Sequence, residues 1–162
     1  MKKHLNKIII LIFDKLFSFI LLIIILPILF IIFLILYLFN NSEIFYISER
    51  IGYRNKKFKL IKFRTMKKNS EDEITNIGKF LRKTSMDELP QLINVIKGDM
   101  SLVGPRPYPE YIFQNTSERD IYLRHQVKPG LTGYSQINFT GQKRSLEEKI
   151  SHDIYFVKNY NF

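Results

Sequence analysis

The chain is 162 residues long, enough for one domain and hardly two. Its 25 Lys and Arg against 15 Asp and Glu give a formal net charge of +10, so the expected partners are anionic: nucleotides, phospholipid head groups or nucleic acid. There is no cysteine, which excludes disulfides and thiolate metal sites.

Residues 1–39 are nearly all apolar, and residues 40–162 carry nearly all the charge. From Leu16 to Phe39 no residue is charged; Leu, Ile and Phe are broken only by Ser18, Pro27 and Tyr37. At about 1.5 Å per residue such a helix covers a hydrocarbon core of roughly 30 Å. The run is too long for a cleaved signal peptide, and no small-residue cleavage site follows it. A single-pass anchor and a re-entrant helix both remain. Pro27 near the middle would bend the helix. Lysines before it (Lys2, Lys3, Lys7, Lys15) and Arg50, Arg54, Lys56 and Lys57 after it favour keeping both ends cytoplasmic.

After a polar exit at Asn40–Ser42, the stretch from Lys57 to Arg64 partly alternates and reads as a strand. Asn55 tolerates positive φ, so a turn at Arg54–Lys57 is expected to fold Ile51 back on Phe58 as a hairpin. Lys59, Lys62 and Arg64 form a basic surface, for phosphate or simply for solvent and anionic lipid. Lys67–Thr75 reads as a surface loop and Ile77–Lys83 as a short helix.

The stretch Thr84–Pro107, TSMDELPQLINVIKGDMSLVGPRP, is the most informative. Helical spacing over 85–97 groups Asp87, Gln91 and Asn94 on one side and Leu89, Leu92, Ile93 and Ile96 on the other. Lys97 suits the last turn and Gly98 the C′ position. Two readings of Asp87-Glu88 compete: a first-turn acid pair within the capping box Ser85-x-x-Glu88, or a reactive pair on an exposed polar face. Pro90 disfavours a cap at Ser85 and suits one at Asp87. Beyond it the pattern predicts helices starting at Tyr111 and spanning Ile121–His125, a turn-rich hinge Lys128–Gly133, and a helix over Glu147–Asn159 with Ile150, Ile154 and Val157 inward. His125, alone beside Arg124, reads as a structural hydrogen-bonder rather than a base. No P-loop, GxGxxG or HExxH occurs.

Taken in order, Lys62-Phe63-Arg64-Thr65-Met66, Asp87-Glu88-Leu89-Pro90-Gln91-Leu92, Lys97-Gly98-Asp99-Met100-Ser101-Leu102-Val103-Gly104-Pro105-Arg106-Pro107, Arg124-His125-x-Val127-Lys128-Pro129-Gly130-x-Thr132-Gly133, Gln136-x-Asn138 and Glu147-Glu148-Lys149 form a specific series. It resembles, over essentially the whole chain, the bacterial sugar transferases, which are monotopic phosphoglycosyl transferases. The resemblance implies transfer of a sugar 1-phosphate from a UDP-sugar to polyprenyl phosphate, with release of UMP, at the start of surface polysaccharide or glycoconjugate assembly. It implies Asp87 as nucleophile, forming a phosphosugar–aspartyl intermediate, and Glu88 as ligand of Mg²⁺. It also implies an α+β, mainly helical fold: a re-entrant membrane helix over 1–39, bent at Pro27, then a small cytosolic catalytic domain over 40–162 with a short β-hairpin.

A carboxylate attacking an anionic diphosphate needs cations nearby. Arg82, Lys83, Lys97 and Arg106 flank the acid pair, and they are expected to keep Asp87 ionised. Lys62, Arg64 and Arg144 complete the candidate phosphate and substrate contacts. Expected partners are the UDP-sugar, polyprenyl phosphate and membrane lipid at the bacterial cytoplasmic membrane, with the catalytic domain on the cytoplasmic side. Downstream glycosyltransferases are further candidates; nucleic acid is not expected. Two departures stand out. Where the family has Gly-Arg-Asn after Asn138, this chain has Phe139-Thr140-Gly141-Gln142, leaving Lys143 and Arg144 as the nearest basic residues. Relatives also continue past the position of Phe162, so a truncated C-terminus is expected. The alternative function is a catalytically silent membrane module that binds anionic lipid or a partner enzyme.

Overall fold

The computed structural model describes residues 2–39, 43–67, 73–138 and 145–159. The expected polar exit at 40–42, the middle of the charged loop at 68–72, and the 139–144 run with Arg144 lie outside them.

The apolar segment is one helix, α1 (Lys2–Phe39), continuous through Pro27, which sits on its exposed side. The proline removes one backbone donor without ending the helix. The half-buried and buried positions Ile10, Asp14, Ser18, Leu22, Ile25, Leu29, Ile32 and Leu36 recur every three or four residues, so a single stripe faces the rest of the protein. That stripe keeps its register across Pro27. At its C-terminal end Ile32 and Leu36 pack with Phe63 and Leu81, and burial of a side chain such as Leu36 stabilises by about 1.5–3 kcal/mol. At its N-terminal end Asp14 accepts a 2.6 Å bond from the Ser101 hydroxyl. The other faces of α1 are apolar and exposed, with Ile24 67% and Phe30 63% accessible.

The expected hairpin forms. β1 (Phe45–Ile51) runs antiparallel to β2 (Lys57–Phe63), with Arg50 opposite Phe58 and Ile51 opposite Lys57. The 3₁₀ turn Tyr53–Asn55 that joins them places both Arg54 (φ 53) and Asn55 (φ 59) in the left-handed region. α2 (Asn76–Thr84) follows, capped by the Thr75 hydroxyl, which accepts from the Gly78 N–H.

The single helix predicted over 85–97 is instead two pieces. Met86–Gln91 is 3₁₀ and α3 (Leu92–Lys97) is α-helical. Pro90 offers no N–H to an α-helical ladder, and the Leu92 N–H reaches back three residues to the Leu89 carbonyl, so the tighter turn persists until the proline is passed. Ser85 does not cap this segment. Its φ of 57 makes it the left-handed terminator of α2, and its hydroxyl makes no capping bond.

The amide of Asn94, predicted on an exposed polar face, is fully buried. Its Nδ2 donates to the Lys59 carbonyl at 2.8 Å and its Oδ1 accepts from the Ile61 N–H at 3.1 Å, so the side chain serves as a surrogate strand edge for β2. This bracket, with Leu60, Val95 and Met100 packed beneath it, fixes the segment 86–97 against the hairpin.

β3 (Ser101–Val103) pairs in parallel with β4 (Gly130–Thr132). The stretch expected to be a hinge is therefore docked. A Cβ on Gly130 would lie 2.1 Å from the Gly104 nitrogen, and one on Gly133 2.1 Å from the Gly104 carbonyl oxygen. Between these strands lie the 3₁₀ turn Glu110–Phe113 and α4 (Glu118–Arg124). After them come α5 (Tyr134–Ile137) and α6 (Leu146–Asn159), the latter burying Ile150, Asp153, Ile154 and Phe156.

Replacing Asn94 with Ala orphans the Ile61 N–H and the Lys59 carbonyl, and is expected to cost about 1–3 kcal/mol in thermal or denaturant unfolding. A stability unchanged from wild type would show that the bracket contributes nothing.

Candidate active site

Asp87 and Glu88 lie at the base of a cleft of about 640 Å³, bordered by Lys62, Arg82, Ser85, Arg106, Tyr108, Ser135, Gln136 and Lys149. A lobe of about 200 Å³ continues from it past Arg50, Leu60, Pro107, Tyr111 and Leu131. Lys62, Glu88, Arg106, Tyr108 and Gln136 border both.

Each cation is placed by a separate element. Lys62 projects from the end of β2 on the same face as Leu60, and lies over the ring of its cross-strand partner Tyr46 at 5.5 Å. Arg82 leaves the last turn of α2, where its Nε donates to the Thr65 hydroxyl at 2.8 Å. Arg106 Nη2 meets Glu88 Oε1 at 2.7 Å. Its backbone is held from behind, because the Arg124 Nη2 donates to the Arg106 carbonyl.

Arg124 is itself 1% exposed and paired with Asp153 of α6 (Nε to Oδ2, 2.9 Å), whose other oxygen accepts from Ser135 at 2.7 Å. The guanidinium also lies over Tyr108 at 4.9 Å and Phe113 at 5.4 Å. Through this pair the C-terminal helix sets the position of the loop that carries Arg106.

Asp87 is 6% exposed. Burial, and then the neighbouring Glu88 carboxylate, push its pKa above the ordinary carboxylate value; Lys62 and Arg82 pull the other way without prevailing. Desolvation thus sets the direction of the shift, and the cations expected to keep this acid ionised act against it. Lys62 is shifted in the opposite sense, lowered chiefly by burial, against the pull of Asp87 and Glu88. Burial also lowers Arg50.

Of the residues named from sequence, Lys62, Arg82, Arg106, Asp87 and Glu88 come together here. Arg64 does not line the cleft; it pairs with Glu43 at 2.7 Å beyond the end of β2. Lys97 is exposed in the last turn of α3 and lies apart from the cleft lining. Arg144 is outside the described residues.

Sequence reasoning missed Arg50, Tyr108, Ser135, Gln136 and Lys149 as cleft residues. For Arg50 a signal existed: once Asn55 fixes the turn, alternation puts Arg50 and Lys62 on one face of the hairpin. Lys149 and Ser135 depend on how α5 and α6 pack, which no local pattern reveals.

His125 fulfils its structural reading. It is 3% exposed, its Nδ1 faces Asn55 Oδ1 at 2.6 Å, and it is not part of the cleft lining. Burial first, then Arg124, lower its pKa from 6.5 to about 4. The Nδ1–H therefore donates to Asn55 from a neutral ring.

Among the described residues no group of three acidic or histidine side chains gathers that could hold a metal ion alone. The adjacent carboxylates of Asp87 and Glu88 do suit a hard divalent cation that takes one or two protein oxygens and completes its shell with phosphate and water. Glu88 is the better placed ligand, because it is less buried than Asp87 and already on the cleft floor between the two lobes.

The sequence pattern of the family described as bacterial sugar transferase matches residues 5–162. Three relatives are similar to this chain. The UDP-N-acetylgalactosamine-undecaprenyl-phosphate N-acetylgalactosaminephosphotransferase of Aeromonas hydrophila is 36% identical over 75% of this chain and 32% of its own length. The uncharacterized sugar transferase EpsL of Bacillus subtilis is 44% identical over 75% and 64%. The UDP-glucose:undecaprenyl-phosphate glucose-1-phosphate transferase of Escherichia coli is 35% identical over 91% and 36%. The chain thus spans about a third of two of these proteins and just under two thirds of EpsL.

Two outcomes follow from the titrations. The folded protein resists ionising Asp87, so Asp87→Asn should raise the melting temperature at neutral pH. That gain should shrink as pH falls through the raised folded pKa towards 3.8, where the wild-type acid is neutral in both states. For His125 the unfolded state takes up a proton between pH 6.5 and about 4 that the folded state refuses. Stability should therefore drop as pH falls through that window, and His125→Gln should flatten the slope there in pH-dependent thermal unfolding.

Proposed function

The chain belongs to the bacterial sugar transferase family, and from that premise we propose that it transfers a sugar 1-phosphate from a UDP-sugar to polyprenyl phosphate, giving a polyprenyl-diphosphate-sugar and UMP. The observation that carries this reading is the cleft itself: a buried, uncapped Asp87 beside Glu88, ringed by Lys62, Arg82, Arg106 and Lys149. A silent lipid-binding module would have no use for an acid buried against its own titration preference.

In the first half-reaction a carboxylate oxygen of Asp87 attacks the phosphorus that bears the sugar. The bond from that phosphorus to the bridging oxygen breaks, and UMP leaves with the electron pair. In the second, a phosphate oxygen of polyprenyl phosphate attacks the same phosphorus, the aspartyl–phosphorus bond breaks, and the Asp87 carboxylate is restored. Lys62, Arg82 and Arg106 counter the charge of the diphosphate and orient it. Glu88 would hold a magnesium ion, which when bound would neutralise phosphate charge. Arg106 meets Glu88 at 2.7 Å, so it is positioned to bind phosphate beside that ligand. Asp87 attacks only when ionised, and the upward shift of its pKa by burial moves the acid limb of activity upward in the same sense.

The membrane placement belongs to the same proposal. α1 keeps one stripe on the domain from Asp14 to Leu36, about 33 Å of helix. A bilayer-spanning helix would have to leave the domain within that distance. A monotopic placement on the cytoplasmic face of the cytoplasmic membrane, with the outer faces of α1 in lipid, keeps the cleft at the level of a polyprenyl phosphate head group. The product would be handed to glycosyltransferases that extend a lipid-linked sugar.

With Mg²⁺, polyprenyl phosphate and a panel of UDP-sugars, the membrane-bound chain is expected to release UMP. Appearance of UDP would point to ordinary glycosyl transfer. Asp87→Asn should lower UMP release by at least about 10³-fold and abolish a labelled protein–phosphosugar adduct. Persistent activity or adduct in that variant would refute the assignment.

A further inference from the structure

The cleft has two compartments, and only one of them touches the proposed nucleophile. Asp87 borders the main cleft and is absent from the wall of the side lobe, whereas Lys62, Glu88, Arg106, Tyr108 and Gln136 border both. Displacement at phosphorus runs in line, with the entering and leaving oxygens on opposite sides. When an Asp87 oxygen bonds to the phosphorus that bears the sugar, the bond to the bridging oxygen breaks on the side away from Asp87, and UMP keeps the electron pair. The compartment that Asp87 does not border is the lobe, so the departing nucleotide belongs there and the sugar in the main cleft.

Arg50 lines the lobe and not the main cleft. It stands on β1 opposite Phe58 of β2, and its Nε donates to the Ser48 hydroxyl at 3.1 Å. That bond fixes the stem of the guanidinium and leaves its two terminal nitrogens without a hydrogen-bond partner among the described residues. No carboxylate of those residues lies within ion-pair distance of Arg50. Glu88 is the acid in the lobe wall; it attracts Arg50 from further off but is bound to Arg106 at 2.7 Å. The wall thus sets Arg50, Lys62 and Arg106 against Glu88, and the planar fork of Arg50 suits two oxygens of a phosphate. Beyond it Pro107, Tyr111 and Leu131 offer the apolar and aromatic surface that a nucleoside takes.

We propose that Arg50 binds the phosphate of the departing nucleotide, with the nucleoside in the lobe against Pro107, Tyr111 and Leu131. This rests on the transfer reaction proposed above: Lys62 and Arg106 meet the diphosphate where the compartments join, and Arg50 holds the phosphate that stays with uridine. As the bridging bond breaks, negative charge grows on that phosphate, so the contact strengthens along the reaction.

The full chain in detergent is titrated with UMP and with uridine by calorimetry, and UMP release from UDP-sugars is followed alongside. The wild type is expected to bind UMP at least about tenfold more tightly than uridine. Arg50→Met should bring the two affinities within about threefold while leaving uridine binding unchanged, and should lower kcat/KM for the UDP-sugar. Exposed Lys56→Met, which removes the same charge, should keep the preference for UMP. Equal weakening of UMP and uridine by Arg50→Met would give Arg50 a structural role and overturn the inference. So would a preference that survives Arg50→Met, a preference lost equally in Lys56→Met, or a wild type that turns over yet binds UMP no better than uridine. Should Arg50→Met misfold, Arg50→Lys keeps the charge but not the fork, and a preference cut at least about threefold is expected; an unchanged one overturns the assignment. A wild-type chain that releases no UMP from any donor would instead fail the transfer reading itself.

Discussion

Most of the site's geometry passes through one buried ion pair. Arg124 and Asp153 are each about 1% exposed and joined at 2.9 Å, and between them they reach Ser135, the Arg106 carbonyl and the rings of Tyr108 and Phe113. Removing two charges from water is costly, and the attraction within a dry interior offsets that cost only when the remaining hydrogen-bonding positions are filled. Here they are filled by the Ser135 hydroxyl, the Arg106 carbonyl and the His125 ring. The pair is thus better understood as a device for position than as a source of net stability: α4, α5, α6 and the Arg106 loop have one arrangement that satisfies it.

The cleft in front of that pair is built against its own electrostatics. Asp87 is buried beside a second carboxylate, and Lys62 is buried among cations. Each is shifted towards its neutral form by loss of water. In the proposed reaction a diphosphate entering between them would complete what the protein leaves incomplete, because its charge matches Lys62, Arg82 and Arg106. In the proposed reaction the binding of the donor is therefore also the step that readies the nucleophile. Left-handed Ser85, which ends α2 and turns the chain directly into Met86-Asp87, is a local strain of the kind that accompanies such sites.

The acid pair, the Arg106 loop and the hairpin were all legible in the sequence, because each depends on residues near in the chain. What misled was the assumption of one helical period across 85–97. Pro90 bears on the cap in the sequence, but in the structure it shows itself in the pitch, which is 3₁₀ until Gln91. With that pitch the wheel that grouped Asp87, Gln91 and Asn94 dissolves. Asn94 turned out to be buried because its amide matches a strand edge thirty-odd residues away, a pairing between distant parts of the chain that spacing cannot disclose. Lys149 and Ser135 escaped for the same reason. Arg64 stays beside Lys62, both over the Tyr46 ring, but its guanidinium pairs with Glu43 and does not line the cleft.

The long apolar helix shows why composition and packing must be considered together. By composition and length α1 is as apolar as a spanning helix, and little of it is buried. Yet what little burial there is falls on one stripe, and the stripe runs nearly the full length of the helix and contains its one acid, Asp14, and Ser18. A helix wholly in hydrocarbon would have no reason to turn its one acid to the line that faces a charged domain. The same line carries Lys15 at its edge, next to Lys128. The polar side of α1 is thus matched to the domain, and its other sides are apolar and exposed. Phe63 and Leu81, which clamp the C-terminal end of α1, sit one residue along the chain from Lys62 and Arg82. In the proposed placement the cations that meet the phosphates are therefore anchored by the very contacts that hold the helix, and the reacting groups stay at the depth where a lipid head group ends.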